Sequence, residues 1–260
     1  PALYGQPVGR IIEVLGSADD SGMEIEIAVR KYGVPHQFSD ECLKQAEALP
    51  GQVRPEDKRG RIDLTDVALV TIDGEDARDF DDAVYCEPAT VGRAKGWRLL
   101  VAIADVSHYV ETGNAIDVDA YDRATSVYFP RRVIPMLPEK LSNGLCSLNP
   151  EVERLCMVCD MLVTTKGDVH AYQFYPAVMR SHARLTYTQV AAVLANTRSP
   201  EALQFKDRVP DLLNLHDVYR ALLQARHKRG AVDLDTVETQ IVCDDNGRIE
   251  KILPRVRNDA

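Results

Sequence analysis

The sequence predicts an α+β protein in which a mixed α/β domain follows the end of a small all-β barrel. Residues 4–33 contain short β segments separated by turns, and residues 23–29 alternate apolar and polar side chains. From Leu64 onward, strand-length apolar segments are mixed with helical patterns, without the strict βαβ alternation of a parallel sheet. Amphipathic helical patterns and a final hairpin pattern occupy the C-terminal part.

Composition limits the class of protein. The chain has 260 residues, of which 45% are hydrophobic and 27% charged, so it can bury a sizeable core. Its apolar stretches at 67–72 and 99–104 are far shorter than the roughly 20 residues of a membrane span, so we expect no membrane association. Six cysteines without framework spacing favour a reducing, cytoplasmic location. Because the chain begins without Met or a leader, we expect a piece of a longer protein.

The N-terminal elements are a hairpin, a helix and a linker. Ser39 is a favourable N-cap for the helix, and Pro50-Gly51 ends it. We therefore expect the end of a barrel plus a helix in 1–50, a linker in 51–60 and the second domain in 61–260. The predicted elements are strands 8–15 and 23–29 around a turn at 16–22, a helix at 39–49 and a charged linker at 52–61.

The second domain is predicted from alternating strands and capped helices. A turn at 165–168 separates two long alternating segments and so indicates a hairpin. Gly230 ends the last long helix. The predicted strands are 67–73, 83–87, 97–106, 155–164, 169–179, 239–243 and 249–253, and the predicted helical segments are 115–125, 138–145, 186–194 and 201–228.

A concentrated acidic segment is the main chemical feature. The net charge is −9, and residues 73–87 alone carry seven acidic side chains and one basic one. Two like charges 4 Å apart repel by about 4 kcal/mol at an effective dielectric near 20. The carboxylates must therefore either extend into water, as in an ordinary acidic loop, or bind metal.

Two details favour a metal site over a solvated loop. The acids follow a buried strand, and they alternate with Phe80, so that an extended backbone places Asp79 and Asp81 on one face and Asp82 on the other. All-oxygen ligands select Mg²⁺ or Mn²⁺ before Zn²⁺. A calcium EF-hand is excluded by register, because Arg78 and Val84 stand where that loop requires Gly and Glu.

Residues 72–84, which read Ile-Asp-Gly-Glu-Asp-Ala-Arg-Asp-Phe-Asp-Asp-Ala-Val, closely resemble the metal-binding segment of the RNase II/RNase R exoribonuclease family. The resemblance covers roughly 60–260 and, more weakly, the β segment before it. Within the family it is strongest to RNase R members, because the acidic segment reads Gly-Glu-Asp-Ala-Arg-Asp-Phe-Asp-Asp. Further matching segments are 101–110, 124–130, 134–139, 141–150 and 181–187.

The resemblance implies the N-terminal half of an RNB-type nuclease domain, preceded by the end of a cold-shock/OB domain. The implied activity is 3′-to-5′ hydrolysis of single-stranded RNA to 5′-nucleoside monophosphates, in RNA decay and processing. It would use a two-metal mechanism with Mg²⁺, or alternatively Mn²⁺, in a monomer. The candidate residues are Asp73, Asp79, Asp81 and Asp82 for metal, Asp79 and Asp81 for catalysis, and Tyr128 for stacking on the 3′-terminal nucleotide.

Other candidates have weaker signals. Arg184 is a candidate contact to the RNA backbone by its charge, and Arg131-Arg132 are equally well explained as solvated charges. Cys156 and Cys159 are predicted to be core residues rather than a metal pair, because positions three apart on a strand face opposite ways.

A second hypothesis for the function follows from what these residues do not contain. The family's later Ser-Pro-x-Arg segment and its S1 domain are absent from the 260 residues. A metal- and RNA-binding fragment that is catalytically incomplete is therefore the alternative to an enzyme.

Overall fold

A computed structural model describes residues 9–17, 19–75, 77–232, 234, 239–245 and 247–254. The described residues form strands and helices in both halves of the chain. The strands are β1 (Ile62–Leu64), β2 (Val70–Asp73), β3 (Asp82–Val91), β4 (Ala94–Ala104), β5 (Val127–Phe129), β6 (Arg132–Ile134), β7 (Glu153–Thr164), β8 (Val169–Arg180), β9 (Ala183–Thr186), β10 (Thr239–Cys243) and β11 (Ile249–Pro254). The α-helices are α1 (Met23–Lys31), α2 (Asp40–Ala48), α3 (Ala115–Arg123), α4 (Tyr187–Ala195), α5 (Pro200–Gln204) and α6 (Val209–Lys228).

Seven strands form one mixed sheet in the order β1-β8-β7-β4-β3-β2-β9. The central strands β3, β4, β7 and β8 are antiparallel neighbours, whereas β2 pairs in parallel with β9 and β1 in parallel with β8. The β5–β6 and β10–β11 hairpins are separate two-stranded sheets. The chain between β2 and β3 carries the acidic segment, so two paired strands of the main sheet hold both of its ends.

Helices cover both faces of the main sheet. On one face, apolar side chains of β4 and β7 pack with α2, α3 and the π-helical turn Lys140–Leu145. On the other face, α4 and α6 pack over β2, β3, β4 and β9. Fully burying a Leu or Val side chain contributes about 1.5–3 kcal/mol, so residues such as Leu100, Leu155 and Leu185, each 1% exposed, stabilise the strands beneath the acidic segment.

Several predicted elements are confirmed. The Ser39 hydroxyl accepts a hydrogen bond from the Cys42 N–H and so caps α2. Thr186 and Gln189 form a capping box at the start of α4. The β7–β8 hairpin turns at 165–168, where Gly167 adopts a φ of 79°.

The β hairpin predicted at 8–29 is wrong. Residues 9–17 contain no strand, and Met23–Lys31 is helical. Acidic residues occupy the first turn of α1 and basic ones the last, which suits the helix dipole, and Glu26 pairs with Arg30 one turn later. Apolar residues at alternating positions over so short a segment fit a helix as well as a strand, and the charges favour the helix.

The stretch 52–61, predicted as a linker, contains the 3₁₀ turn Pro55–Lys58 with a buried Asp57. One further prediction is wrong. The helix predicted at 201–228 is interrupted after Gln204. Pro210, in the first turn of α6, has no N–H to continue a preceding helix, and Ser199 caps α5 separately. The short strands β1, β5, β6 and β9 lie where the sequence predicted none.

The cysteines are free thiols, and the predicted core position holds for Cys156, which is buried in β7, whereas Cys159 on the same strand is only partly buried. None of the helices in the described part of the chain combines the length and the apolar character that a membrane span needs.

Candidate active site

The acidic segment begins at the end of β2 and ends at the start of β3. Asp73 is the last residue of β2, and its carboxylate accepts a hydrogen bond from the Gly74 N–H at 2.7 Å. Asp82 is the first residue of β3. Because β2 and β3 pair in the same sheet, carboxylates nine positions apart in sequence meet at one place.

Phe80 anchors the middle of this segment. Its side chain is 3% exposed, and its N–H donates to the Ser147 Oγ at 3.0 Å. Its carbonyl accepts from the Leu148 N–H at 2.8 Å. The next carbonyl, that of Asp81, accepts from the Ala104 N–H at 2.8 Å. Asp79 and Asp81 therefore flank a residue whose ring and backbone are both held by the core.

The four candidate metal ligands share one electrostatic environment. Partial desolvation is the main cause that raises the pKa of Asp81, and repulsion from Asp79, Asp82 and Asp73 adds to it. Desolvation also raises the pKa of Asp82, with a further contribution from Asp73. Both side chains remain open to solvent, so the surrounding protein disfavours their charge without enclosing them. The structure thus concentrates negative charge that a bound cation would offset.

The carboxylates are not arranged as a complete set of ligands around one point. Among the residues that the structure describes, no three His, Cys, Asp or Glu side chains are arranged so that they could hold one metal ion. Asp76 lies outside the described residues.

Tyr128 lies at the acidic segment, although 49 residues separate it from Asp79. Its hydroxyl donates to the Asp79 Oδ1 at 3.0 Å. Burial of part of the ring, followed by the hydrogen bond to Asp79 and the charges of Asp79, Asp81 and Asp73, raises the pKa of Tyr128 to about 12. The side chain is still 60% exposed, so an aromatic surface stands open next to the carboxylates.

Arg184 also contacts the acidic segment. It lies on β9, opposite Thr71 of β2 in the parallel pair. Its Nη2 donates to the Ala77 carbonyl at 3.0 Å, and its guanidinium carbon lies 4.5 Å from the centre of the Phe80 ring. These contacts place a positive charge against the backbone of the acidic segment and tie that segment to β9.

Ser147 is a residue of the site that the sequence analysis gave no role. It is completely buried and supplies the acceptor for the Phe80 N–H. The available signal was a single hydroxyl residue inside the apolar run Leu145-Cys146-Ser147-Leu148, because a polar side chain in such a run requires a partner.

A second polar cluster contains His108. Its Nε2 is 3.2 Å from the Asp57 Oδ1, and its Nδ1 is 3.4 Å from the Arg61 Nη2. Burial pushes the pKa of Asp105 upward, but hydrogen bonds from Arg61 and Ser107 outweigh it and leave the pKa below its ordinary value. His108 and Asp105 are therefore parts of an internal ionic network.

Comparison with known proteins places this fold in a family. The model of the RNB domain matches residues 61–260. The chain belongs to the RNB domain family. The model of a cold shock domain matches residues 2–39, so the predicted combination of a cold-shock segment and an RNB domain is confirmed, although α1 replaces the expected hairpin.

Named relatives of this RNB chain are ribonucleases. It is 52% identical over 253 residues to Ribonuclease R of Vibrio cholerae, a match that covers 97% of the chain and 30% of the relative. Identity to Ribonuclease R of Escherichia coli is 50%, covering 100% of the chain and 32% of the relative. A solved structure of Mycoplasma genitalium RNase R in complex with ribose methylated single-stranded RNA is 33% identical, with a TM-score of 0.84 over 95% of this chain and 38% of that one. The chain therefore spans about a third of the length of the curated relatives it matches.

Proposed function

We propose that this protein is an exoribonuclease that hydrolyses single-stranded RNA from the 3′ end and releases 5′-nucleoside monophosphates. One observation carries the proposal: an exposed tyrosine is hydrogen-bonded to one of four aspartates that share a single acidic site. Family membership and the ribonuclease names of the relatives support the same activity. The solved relative bound to single-stranded RNA supports the proposed substrate.

The oxygen chemistry of the donor set suits divalent metal, and binding would have to bring the carboxylates closer together than the described residues place them. Carboxylate oxygens are the ligands that Mg²⁺ prefers, with Mn²⁺ as the alternative cation. Metal dependence is a property of RNB nucleases, and desolvation together with repulsion from neighbouring aspartates raises the pKa of Asp81 and Asp82, a burden that bound cations would relieve. We assign Asp73, Asp79, Asp81 and Asp82 as the residues that would hold two cations. When bound, such cations lower the pKa of an attacking water and stabilise the departing 3′ oxygen.

The remaining roles belong to the protein's own groups. The exposed Tyr128 ring would stack on the 3′-terminal base, a contact that tolerates any base and is worth about 1–3 kcal/mol. Asp79 would place the metal site next to that ring through its hydrogen bond with the Tyr128 hydroxyl. Arg184 would offer positive charge to the RNA backbone while its contact with the Ala77 carbonyl orders the acidic segment.

Asp81→Asn in the full-length gene product tests the metal assignment. Mg²⁺ at about one hundred times its Kd should stabilise the wild-type protein by about 2.7 kcal/mol, and Asp81→Asn should lose most of that shift. Asp66→Asn is the matched control, because Asp66 is an exposed carboxylate outside the acidic segment. An equal Mg²⁺-dependent shift in wild-type and Asp81→Asn proteins would rule the assignment out.

The activity itself is tested on single-stranded RNA with Mg²⁺. A 5′-labelled RNA should shorten stepwise, and a 3′-labelled RNA should release its label first as a 5′-mononucleotide. Asp81→Asn should abolish both. RNA binding without turnover by the full-length gene product would contradict the proposed activity and favour a metal- and RNA-binding module.

A further inference from the structure

Tyr128 stands on a small structure outside the main sheet. Strands β5 and β6 form a hairpin in which Tyr128 is opposite Val133 and Phe129 is opposite Arg132. With 60% of its side chain exposed, Tyr128 is not fixed by burial in the core. Its position beside Asp79 therefore depends on what holds the hairpin.

The turn of the hairpin is strained. Between Phe129 and Arg132 it consists of Pro130 and Arg131, and Arg131 adopts a φ of 64°. This left-handed conformation favours Gly or Asn at the third position of a turn that has Pro at its second. A residue other than Gly keeps this unfavourable conformation only where surrounding contacts hold its backbone in place. Here the Arg131 guanidinium supplies contacts, because its Nη1 lies 3.1 Å from the Asp244 carbonyl and 3.3 Å from the Asp245 carbonyl, next to the end of β10.

Arg132 attaches the hairpin on another side. Its guanidinium forms an ion pair with Glu26 of α1, within the segment that matches the cold shock domain. Glu26 also pairs with Arg30, and Arg30 reaches Glu13 at 2.7 Å. Hydrogen bonds, first from Arg132 and then from Arg30, lower the pKa of Glu26. A chain of alternating charges thus connects the N-terminal segment to the hairpin.

We propose that Arg131 and Arg132 are positioning residues for Tyr128, which hold the β5–β6 hairpin between the β10–β11 turn and α1. The stacking role of Tyr128 in this inference rests on the proposed function. The contacts that hold the hairpin do not. A direct contact of Arg132 with an RNA phosphate is the competing interpretation. Glu26 separates the two interpretations, because an anion would not itself bind phosphate and so its substitution should affect RNA binding only if Arg132 acts by positioning Tyr128. The substitutions at Arg132 and Tyr128 should also be non-additive in the positioning interpretation and additive in the other.

Arg132→Gln and Glu26→Gln in the full-length gene product separate these interpretations. Both should weaken binding of a single-stranded RNA with a 3′-terminal 2-aminopurine by about threefold to tenfold, less than the complete loss of stacking in Tyr128→Ala. The double variant Arg132→Gln/Tyr128→Ala should bind no more weakly than Tyr128→Ala. Arg93→Gln, on the exposed β3–β4 turn, is the matched control and should bind like wild type. Additive losses, or wild-type affinity in Glu26→Gln, would overturn the proposal.

A second measurement needs no RNA. In protein labelled with 3-fluorotyrosine, the ¹⁹F resonance of residue 128 is identified by its loss in Tyr128→Phe. Arg132→Gln, Glu26→Gln and Arg131→Gly should each shift or broaden it, because Gly accepts the turn conformation but cannot make the two hydrogen bonds of Arg131. An unchanged resonance in all three variants would refute the positioning role, whereas normal RNA affinity in Tyr128→Ala would refute only the stacking role.

Discussion

The hydroxyl of Ser147 offers a sharp test of how the core supports the acidic site. Ser147→Ala removes the acceptor of the Phe80 N–H, a bond of 3.0 Å, at a position with no solvent exposure. A buried donor left without a partner costs about 1–3 kcal/mol. At about 2–4 °C per kcal/mol for a domain near this size, we expect the Tm to fall by about 2–12 °C.

The same chain contains a matched control. The Ser142 Oγ is also buried, and among the described residues it has no hydrogen-bond partner. Ser142→Ala therefore removes a hydroxyl that contributes no hydrogen bond in this structure, and it should change the free energy of unfolding by no more than about 0.5 kcal/mol, or stabilise the protein slightly.

Urea unfolding followed by the fluorescence of Trp97, the one tryptophan in the chain, measures both variants. Repeating the experiment with Mg²⁺ tests the link to the site, because a loosened Phe80 leaves Asp79 and Asp81 less well placed. We expect Ser147→Ala to lose part of its Mg²⁺-dependent stabilisation and Ser142→Ala to keep it. Equal stability of the two variants in the absence of Mg²⁺ would refute the reasoning.

Two further predictions concern Asp57 and Tyr128. A hydrogen bond from Arg54 is the main cause that holds the pKa of Asp57 well below its ordinary 3.8, so the ionised carboxylate stabilises the fold above that pH and this contribution is lost as the pH falls. Asp57→Asn should therefore lower the free energy of unfolding at neutral pH and make it depend less on pH below about pH 4. Urea unfolding at a series of pH values measures this, and the same pH dependence in the variant and the wild type would contradict the prediction. Tyr128→Phe should keep the affinity for an RNA 3′ end, whereas Tyr128→Ala should lose about 1–3 kcal/mol of it, and equal affinities by fluorescence anisotropy would exclude stacking.

Local features of the fold could be read from the sequence. The Ser39 cap, the long alternating strands β7 and β8 and the acidic segment after a buried strand depend on residues close in the chain. The acidic segment could be identified for the same reason, since the four candidate metal ligands lie within ten positions, while the choice of those four came from the resemblance. The segment 23–31 shows the limit of such reasoning, because its short apolar pattern fits a helix and a strand equally.

The assembly of the site depended on tertiary structure. Tyr128 meets Asp79 across 49 positions, Ser147 meets Phe80 across 67, and Arg184 meets Ala77 across 107. No periodicity or spacing in the sequence predicts these long-range contacts, because each depends on the order of strands in the sheet and on the placement of a hairpin outside it. The sequence by itself determined which carboxylates stand together, since they are neighbours along one strand–loop–strand segment. Only the packed chain brought an aromatic ring, a hydroxyl and a guanidinium into contact with that segment, because those contacts form when remote elements bury their apolar faces against one sheet.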